Sequence, residues 1–370
     1  YRKMVPVNHE MVAGNLVDFP VLVSYTDADL RDKAQSDGDD ILFMDDTGVA
    51  NQLFHEIEYF DSSTGELVAW VNIPVLFSDK DTVFYMYYGN PNCGSQEFPE
   101  MVWDSDFCGV WHLDNVDDST SNGYEGSNHG TDSCSGKIGN ARDFSKETQD
   151  FIDLSDISDL AGSSSEATFE VWLKPDLIEN NVGIITKWNN NYEPDRRSYF
   201  FGTGSPAKIE VGVHSGTWYP WGDKIIAETD GSPLTTGTWQ QIVACVDLSS
   251  TSIDIYYNGE EVSSTLTMEG NPPSYFYDIA VNEWLGRYAA ETGSNHYDGC
   301  MDEVRISNIC RSEEWIETSY NNMNDPQGFS NFCSQVTNYR TCSNRPLLGF
   351  LENHPNLFPL LQKLIQNLGL

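Results

Sequence analysis

The sequence predicts an all-β protein: two successive antiparallel β-sandwiches followed by a short C-terminal α-helical tail. Three observations carry this. Over most of the chain, apolar and polar residues alternate with a period of two in short runs, as half-buried strands require. Pairs built from Gly, Asn and Asp punctuate those runs at intervals suited to turns between strands. The alternation stops before Arg345, and the closing segment RPLLGFLENHPNLFPLLQKLIQNLGL is apolar at helical spacing.

The chain has 370 residues, enough for two or three domains with sizeable cores. Its formal net charge is −37, from 57 acidic and 20 basic side chains. That excludes nucleic acid as a partner, because phosphate binding needs a basic footprint. It equally opposes electrostatic docking on anionic lipid. No apolar run reaches the roughly 18 residues of a membrane span, so no transmembrane segment is expected. Aromatic residues make up 12% of the chain, which separates it from disordered acidic sequences. Eight cysteines are scattered without a CxxC and without Cys/His zinc spacing. In a Gly- and Asn-rich β chain that pattern indicates disulfides and an extracellular or cell-surface setting, with any leader removed or outside this sequence. Cys333 and Cys342 are the pair best placed in sequence to close a short local loop. The chain holds no Asn-x-Ser/Thr acceptor for N-glycans.

Residues 1–104 form the first expected sandwich. Its candidate strands are Lys3–Val7, Pro20–Tyr25, Asp40–Met44, His55–Phe60, Leu67–Ile73 and Thr82–Tyr88. Turn signals separate them: Asp37-Gly38, Thr47-Gly48, Thr64-Gly65 and Gly89-Asn90-Pro91. Ala28–Gln35 reads as one short helix. The runs VAGNLVDFPVLV, AQSDGDDILFMDDTG, HEIEYFDSSTGELVAWVNIPVL and DTVFYMYYGNP resemble a bacterial and archaeal surface module, domain-of-unknown-function family 2341. The resemblance implies an extracellular setting and says little about activity.

Residues 105–325 form the second. GVWHLDN, GKIGNARDFSKETQDFIDL, ATFEVWLKP, GTWQQIVACVDLSSTSIDIYYNGEEV and YDGCMDEVRISNIC resemble a laminin-G-like, concanavalin-type jelly roll, which implies two curved antiparallel sheets. The bare pattern agrees, with two strands joined by a hairpin at Asn258-Gly259. Ser312 before Glu313 and Glu314 marks a helix start, with the helix expected to reach about Asn321, because a Ser cap and acidic first-turn residues satisfy and complement the free N–H groups there.

Residues 326–344 are a polar connector, and 345–370 are the tail. Pro346 and Pro355 suit first helical turns, giving helices over 346–352 and 355–368. In the second, Leu357, Phe358, Leu361, Leu364, Ile365 and Leu368 fall on one face. That face needs a cover, on this chain or on another copy. The reading favoured is assembly in trans into a homo-oligomer, such as a filament or surface layer.

Three chemistries are weighed. The laminin-G resemblance implies a structural calcium ion (Ca²⁺) held by Asp118 and Asn122, with Ser119, and by Asp302 of MDEVRI. A hard cation of this kind collects oxygens from loops and strand ends. Glycan or protein binding is suggested by two aromatic-rich segments: Trp188 and Tyr192 in KWNNNYEPDRR, and Trp218, Tyr219 and Trp221 in HSGTWYPWGD. Hydrolysis of a glycosidic bond needs two carboxylates flanking it. The chain has no ExDxxE, GxSxG or HExxH. Glu56 and Glu58 of HEIE share a strand face beside His55, but no partner base is identifiable from the sequence. Asp302 and Glu303 are adjacent, so alternation sends them to opposite faces. The expectation is a non-catalytic surface protein that binds a glycan or a neighbouring protein. The alternative is an extracellular polysaccharide-degrading enzyme or its accessory binding component.

Overall fold

The computed structural model describes residues 1–330 apart from 46–50, 161, 163, 189–196, 216–222, 280 and 289–294. The strand pairings are antiparallel, and the region named in the sequence as concanavalin-like has that fold.

The first unit packs a 4-stranded sheet against a 3-stranded one. The larger runs Arg2–Val7, Thr82–Tyr87, Leu42–Asp45, Gln52–Leu53, and the smaller runs Leu16–Thr26, Glu66–Leu76, His55–Asp61. Every strand expected in this region is present. Alternate residues point inward, so Val5, Val7, Val21, Val23, Phe43, Phe84 and Met86 are buried. The expected helix is the short segment Ala28–Lys33, opened by Asp27, whose carboxylate accepts from the Asp29 and Leu30 amides.

The second unit is a sandwich of two 8-stranded sheets. One is centred on Asp298–Ser307 and Glu166–Leu177, the other on Arg197–Thr203 and Gly183–Trp188. Between them lie Trp111, Phe144, Phe169, Leu173, Ile185, Tyr199, Phe201, Ile242 and Ile306. The expected hairpin is there: Asn258 and Gly259 have φ of 52° and 80°, the left-handed pair a two-residue type I′ turn requires. Disulfides join Cys134 to Cys300 and Cys245 to Cys310. Among the described residues Cys93 and Cys108 are free. Cys333 and Cys342 lie outside the described residues, as do Leu357, Phe358, Leu361, Leu364, Ile365 and Leu368.

The two units share a core. The helix Glu313–Asn324 opens at Ser312, whose hydroxyl accepts from the Trp315 amide. It lies across the strand Leu16–Thr26 of the first unit. Trp315 meets Phe19 edge-on with centroids 4.8 Å apart. The Asn322 side chain accepts from the Leu22 amide at 2.7 Å and donates to its carbonyl at 3.2 Å. Thr318 accepts from the Ala13 amide at 3.0 Å. One hydrophobic cluster therefore unites Val21, Leu22 and Trp70 with Phe107, Trp172, Trp315, Met323 and Phe329. Arg311 spans the same junction, donating to both carboxylate oxygens of Asp104 at 2.7 Å each. Beyond the helix, Ser330 forms a β-bridge with Val7, and the Asn8 amide donates to the Phe329 carbonyl at 2.9 Å.

Candidate functional site at the junction

The strand His55–Asp61 turns Glu56 and Glu58 toward the second unit, since residues two apart share a face. Facing them are His112, one position past the strand Phe107–Trp111, and Glu303 and Arg305 of the strand Asp298–Ser307. Glu303 has φ of +50°, and the pairing of its strand slips by one residue opposite Glu170 and Trp172. This is a β-bulge, which re-aims side chains at the cost of local strain. Asp302 and Glu303 are both buried but serve different partners. Asp302 accepts from the Lys137, Ile138 and Glu303 amides, whereas Glu303 reaches His112 and Arg305.

His112 is the hub. Its Nδ1 lies 2.8 Å from Glu303 Oε1 and 3.6 Å from Glu58 Oε2, and its Nε2 lies 3.5 Å from Glu56 Oε2. Each carboxylate has a further donor. Trp70 Nε1 donates to Glu58 Oε2 at 2.9 Å, and Trp103 Nε1 donates to Glu56 Oε2 at 3.0 Å. Ser119 donates to Glu56 Oε1 at 2.6 Å, and Arg305 Nη2 donates to Glu303 Oε2 at 2.7 Å. Glu58 Oε1 is buried with no hydrogen-bond partner. The imidazole stacks on Trp70 with centroids 5.6 Å apart, and the Arg305 guanidinium sits 4.5 Å from the same ring's centroid.

Burial and charge divide these groups. Burial pushes the Glu58 carboxyl up to about 8, with Glu303 adding repulsion against the attraction of His112. Burial also opposes ionisation of Glu56 and Glu303, but the His112 cation more than offsets it, aided at Glu303 by Arg305, and both stay below the usual carboxylate range. Burial by itself depresses His112. Glu303, Glu56 and Glu58 together overcome that and hold the imidazole well above its ordinary value.

Above the cluster opens a cavity of about 580 Å³, with Glu56, Glu58 and His112 in its lining. Glu97, Asp114, Asp117 and Glu125 make its wall acidic, and Asn115 adds an amide. Phe98 and Met101 give it an apolar rim, 48% and 54% exposed.

The residues singled out in the sequence fall elsewhere or play other parts. Tyr192, Trp218, Tyr219 and Trp221 lie outside the described residues. Trp188 is not an exposed loop aromatic: it ends the strand Gly183–Trp188, is 4% exposed, and packs with Phe200 and Tyr288. The reason is local: His214 meets it edge-on at 4.5 Å and Arg197 covers its face at 4.9 Å. Asp118 is engaged by main chain and hydroxyl, accepting from the Val110, Thr120 and Tyr124 amides and from Thr120 Oγ1. Asn122 donates to the Phe107 and Cys108 carbonyls. The carboxylates of Asp118 and Asp302, expected to take calcium, thus accept hydrogen bonds from neighbouring main chain, and Ser119 Oγ donates to Glu56. Among the described His, Cys, Asp and Glu side chains, the group at metal-binding separation is Glu58, His112 and Glu303.

Sequence reasoning considered Glu56, Glu58 and Glu303 but gave none of them a site role, and it did not single out His112. His112 and Glu303 were visible as polar residues set in apolar strand sequence, in FCGVWHLD and MDEVRI.

Two family models match parts of the chain. Residues 146–317 match the family model described as the concanavalin A-like lectin/glucanases superfamily. Residues 37–122 match the model described as Domain of unknown function (DUF2341). The chain carries a DUF2341 region followed by a concanavalin A-like region. Glu56, Glu58 and His112 fall in the DUF2341 match and Glu303 in the concanavalin A-like match.

No curated protein matches the chain. Among solved structures, domain 4 of AbnA, an extracellular GH43 arabinanase of Geobacillus stearothermophilus in complex with arabinotriose, is 18% identical with a TM-score of 0.43, covering 58% of this chain and 98% of that one. The CBM40 of the Ruminococcus gnavus IT-sialidase, bound to α2,3-sialyllactose, is 13% identical with a TM-score of 0.39, covering 49% and 96%. The binding domain of Paraclostridial Mosquitocidal Protein 1 is 13% identical with a TM-score of 0.45, covering 58% of this chain and 52% of that one. These are distant likenesses of fold.

Proposed function

We propose that this protein is a non-catalytic, extracellular carbohydrate-binding protein whose ligand lies in the cavity between the two units. The observation that carries the reading is the make-up of that cavity, an apolar rim of Phe98 and Met101 beside the carboxylates of Glu97, Asp114 and Asp117 and the amide of Asn115. A sugar presents a C–H face that packs on an aromatic ring and hydroxyls that donate to carboxylates and amides. The acidic wall selects neutral or amino sugars and rejects uronic and sialic acids by like-charge repulsion. The concanavalin A-like family match supports the reading, and the two disulfides support an oxidising, extracellular setting.

A glycan array spanning neutral, amino and acidic sugars, followed by calorimetry, tests it. Phe98→Ala and Asp114→Asn each lower affinity about tenfold, as loss of a packed ring or a buried hydrogen bond does. Wild-type affinity in both variants refutes the cavity as the site. Loss of binding in a Trp218→Ala, Trp221→Ala variant alone moves the site to that segment. A neighbouring surface protein as ligand is the outcome if no glycan binds.

Assembly through the tail belongs to the same proposal, with Leu357, Phe358, Leu361, Leu364, Ile365 and Leu368 as the face that meets another copy. Deleting 345–370 lowers the mass measured by light scattering. An unchanged mass refutes it.

A second reading has one observation in its favour: Glu56 and Glu58 share a strand face and both line the cavity, as a hydrolytic carboxylate pair does. Release of reducing ends from polysaccharide by the wild type, lost in Glu58→Gln, supports it, and absence of release by the wild type rejects it.

A further inference from the structure

We propose that Glu58, His112 and Glu303 bind one first-row divalent cation of the zinc or manganese type at the floor of the junction cavity. The inference does not depend on what the cavity binds, and its test reads metal alone.

The first support is distance. The three ligand atoms lie within 4.8 Å of one another. The separations from His112 Nδ1 are 2.8 Å to Glu303 and 3.6 Å to Glu58. Ligand atoms at the corners of an octahedron or tetrahedron with bonds of ~2.1 Å stand about 3.0 and 3.4 Å apart. The observed pair brackets those edges.

The second support is an unpartnered atom. The Glu58 side chain is 2% exposed, and its Oε1 is buried without a hydrogen-bond partner. An ion pair with His112 explains Oε2 and leaves Oε1 unexplained. Gly139 keeps the space beside Oε1 clear: a Cβ there would come within 2.8 Å of it.

The third support is the arrangement behind the ligands. Each is also held by a group that does not compete for the metal, as metal sites require. Arg305 holds Glu303 through Oε2, leaving Oε1 forward, and Trp70 holds Glu58 through Oε2, the oxygen nearer His112, leaving Oε1 without a partner. Glu56 lies 3.5 Å from His112 Nε2, so an Nε2–H aimed at it leaves the Nδ1 lone pair for the ion. The Arg305 charge opposes a cation at the site, but it is shared with Glu170 at 3.8 Å and covered by Trp70. Glu58 and His112 line the cavity, so water can complete the shell. One imidazole with two carboxylates suits zinc or manganese, whereas calcium takes six to eight oxygens.

The test is metal content. The full chain, stripped with chelator and dialysed against micromolar Zn²⁺ or Mn²⁺, is analysed by plasma mass spectrometry, with calorimetry for affinity. One equivalent per chain is expected. Glu58→Gln, near-isosteric, lowers affinity by tenfold or more with unchanged circular dichroism, and Glu261→Gln on the exposed edge strand Glu260–Val262 leaves it unchanged. Should Glu58→Gln fail to fold, ¹⁵N-histidine NMR of the wild type decides, with Zn²⁺ shifting the His112 Nδ1 resonance. A wild type that retains no stoichiometric ion, a Glu58→Gln variant that binds as tightly, or a His112 resonance unmoved by Zn²⁺ overturns the proposal.

Discussion

Glu58→Gln in the metal-free protein stabilises the fold at high pH and does little at low pH. The Glu58 carboxyl stands at about 8 in the folded protein against an ordinary 4.5. A raised carboxyl means that the folded chain binds the proton more tightly than the unfolded one. Its contribution is therefore fully present below about pH 4.5 and is lost as pH rises through about 8. That interval, at about 1.36 kcal/mol per pH unit, sets a ceiling of about 5 kcal/mol. Relaxation and the coupled titration of His112 and Glu303 reduce it, and about 2 kcal/mol is expected. Glutamine keeps an acceptor for Trp70 Nε1 and removes the charge that makes burial costly. Urea unfolding of wild type and variant, followed by tryptophan fluorescence at about pH 5 and about pH 9, isolates the effect, because every other titrating group is common to both. The variant should gain about 2 kcal/mol over wild type at the higher pH and almost nothing at the lower. A difference that is flat with pH, or that grows toward low pH, refutes the placement of a proton on Glu58.

Four further predictions rest on the junction and the disulfides. Residues 1–104 expressed alone lack Trp172, Trp315 and Phe329, which complete their core, so their amide NMR spectrum should be collapsed and not dispersed. In the intact chain, Trp315→Ala should cost about 3–5 kcal/mol and lower one cooperative transition, with two separate transitions as the contrary result. Arg311→Met strands the partly buried Asp104 and should cost about 3 kcal/mol, while adding Asp104→Leu should restore most of it. Under mild reductant, timed alkylation should label Cys134 and Cys300 before Cys245, because the first two are partly exposed and Cys245 is 1% exposed.

What was legible in the sequence was local. Alternation marked the six longer strands of the first unit though not Gln52–Leu53, Asn258-Gly259 marked a hairpin of the second, and Ser312 marked the helix that follows it, because neighbouring residues decide each of them. The helix ran on to Asn324, past the expected Asn321. The extra turn carries Asn322 and Met323, which are held by the first unit and not by local propensity. The junction site was only half legible. Glu56 and His112 are 56 positions apart, and His112 and Glu303 are 191 apart. Only the docking of one unit on the other brings them together, and the bulge at Glu303 has no signature in MDEVRI. Trp188 misled for a related reason. Its polar neighbours in sequence suggested a loop, whereas its neighbours in space, Phe200 and Tyr288, are packed from elsewhere in the same sandwich.

The bridge between Ser330 and Val7 also fixes a load path. Tension applied to the chain just past Ser330 meets the first strand before it meets the jelly roll. From there it spreads sideways, through Asn322 to Leu22 and through Trp315 to Phe19, into the first sandwich. The Cys245–Cys310 disulfide ties the start of the same helix to the strand Gln240–Asp247, whereas Cys134–Cys300 lies further from it along the chain. A molecule tethered beyond residue 330 would be pulled at its seam and braced there by the first sandwich.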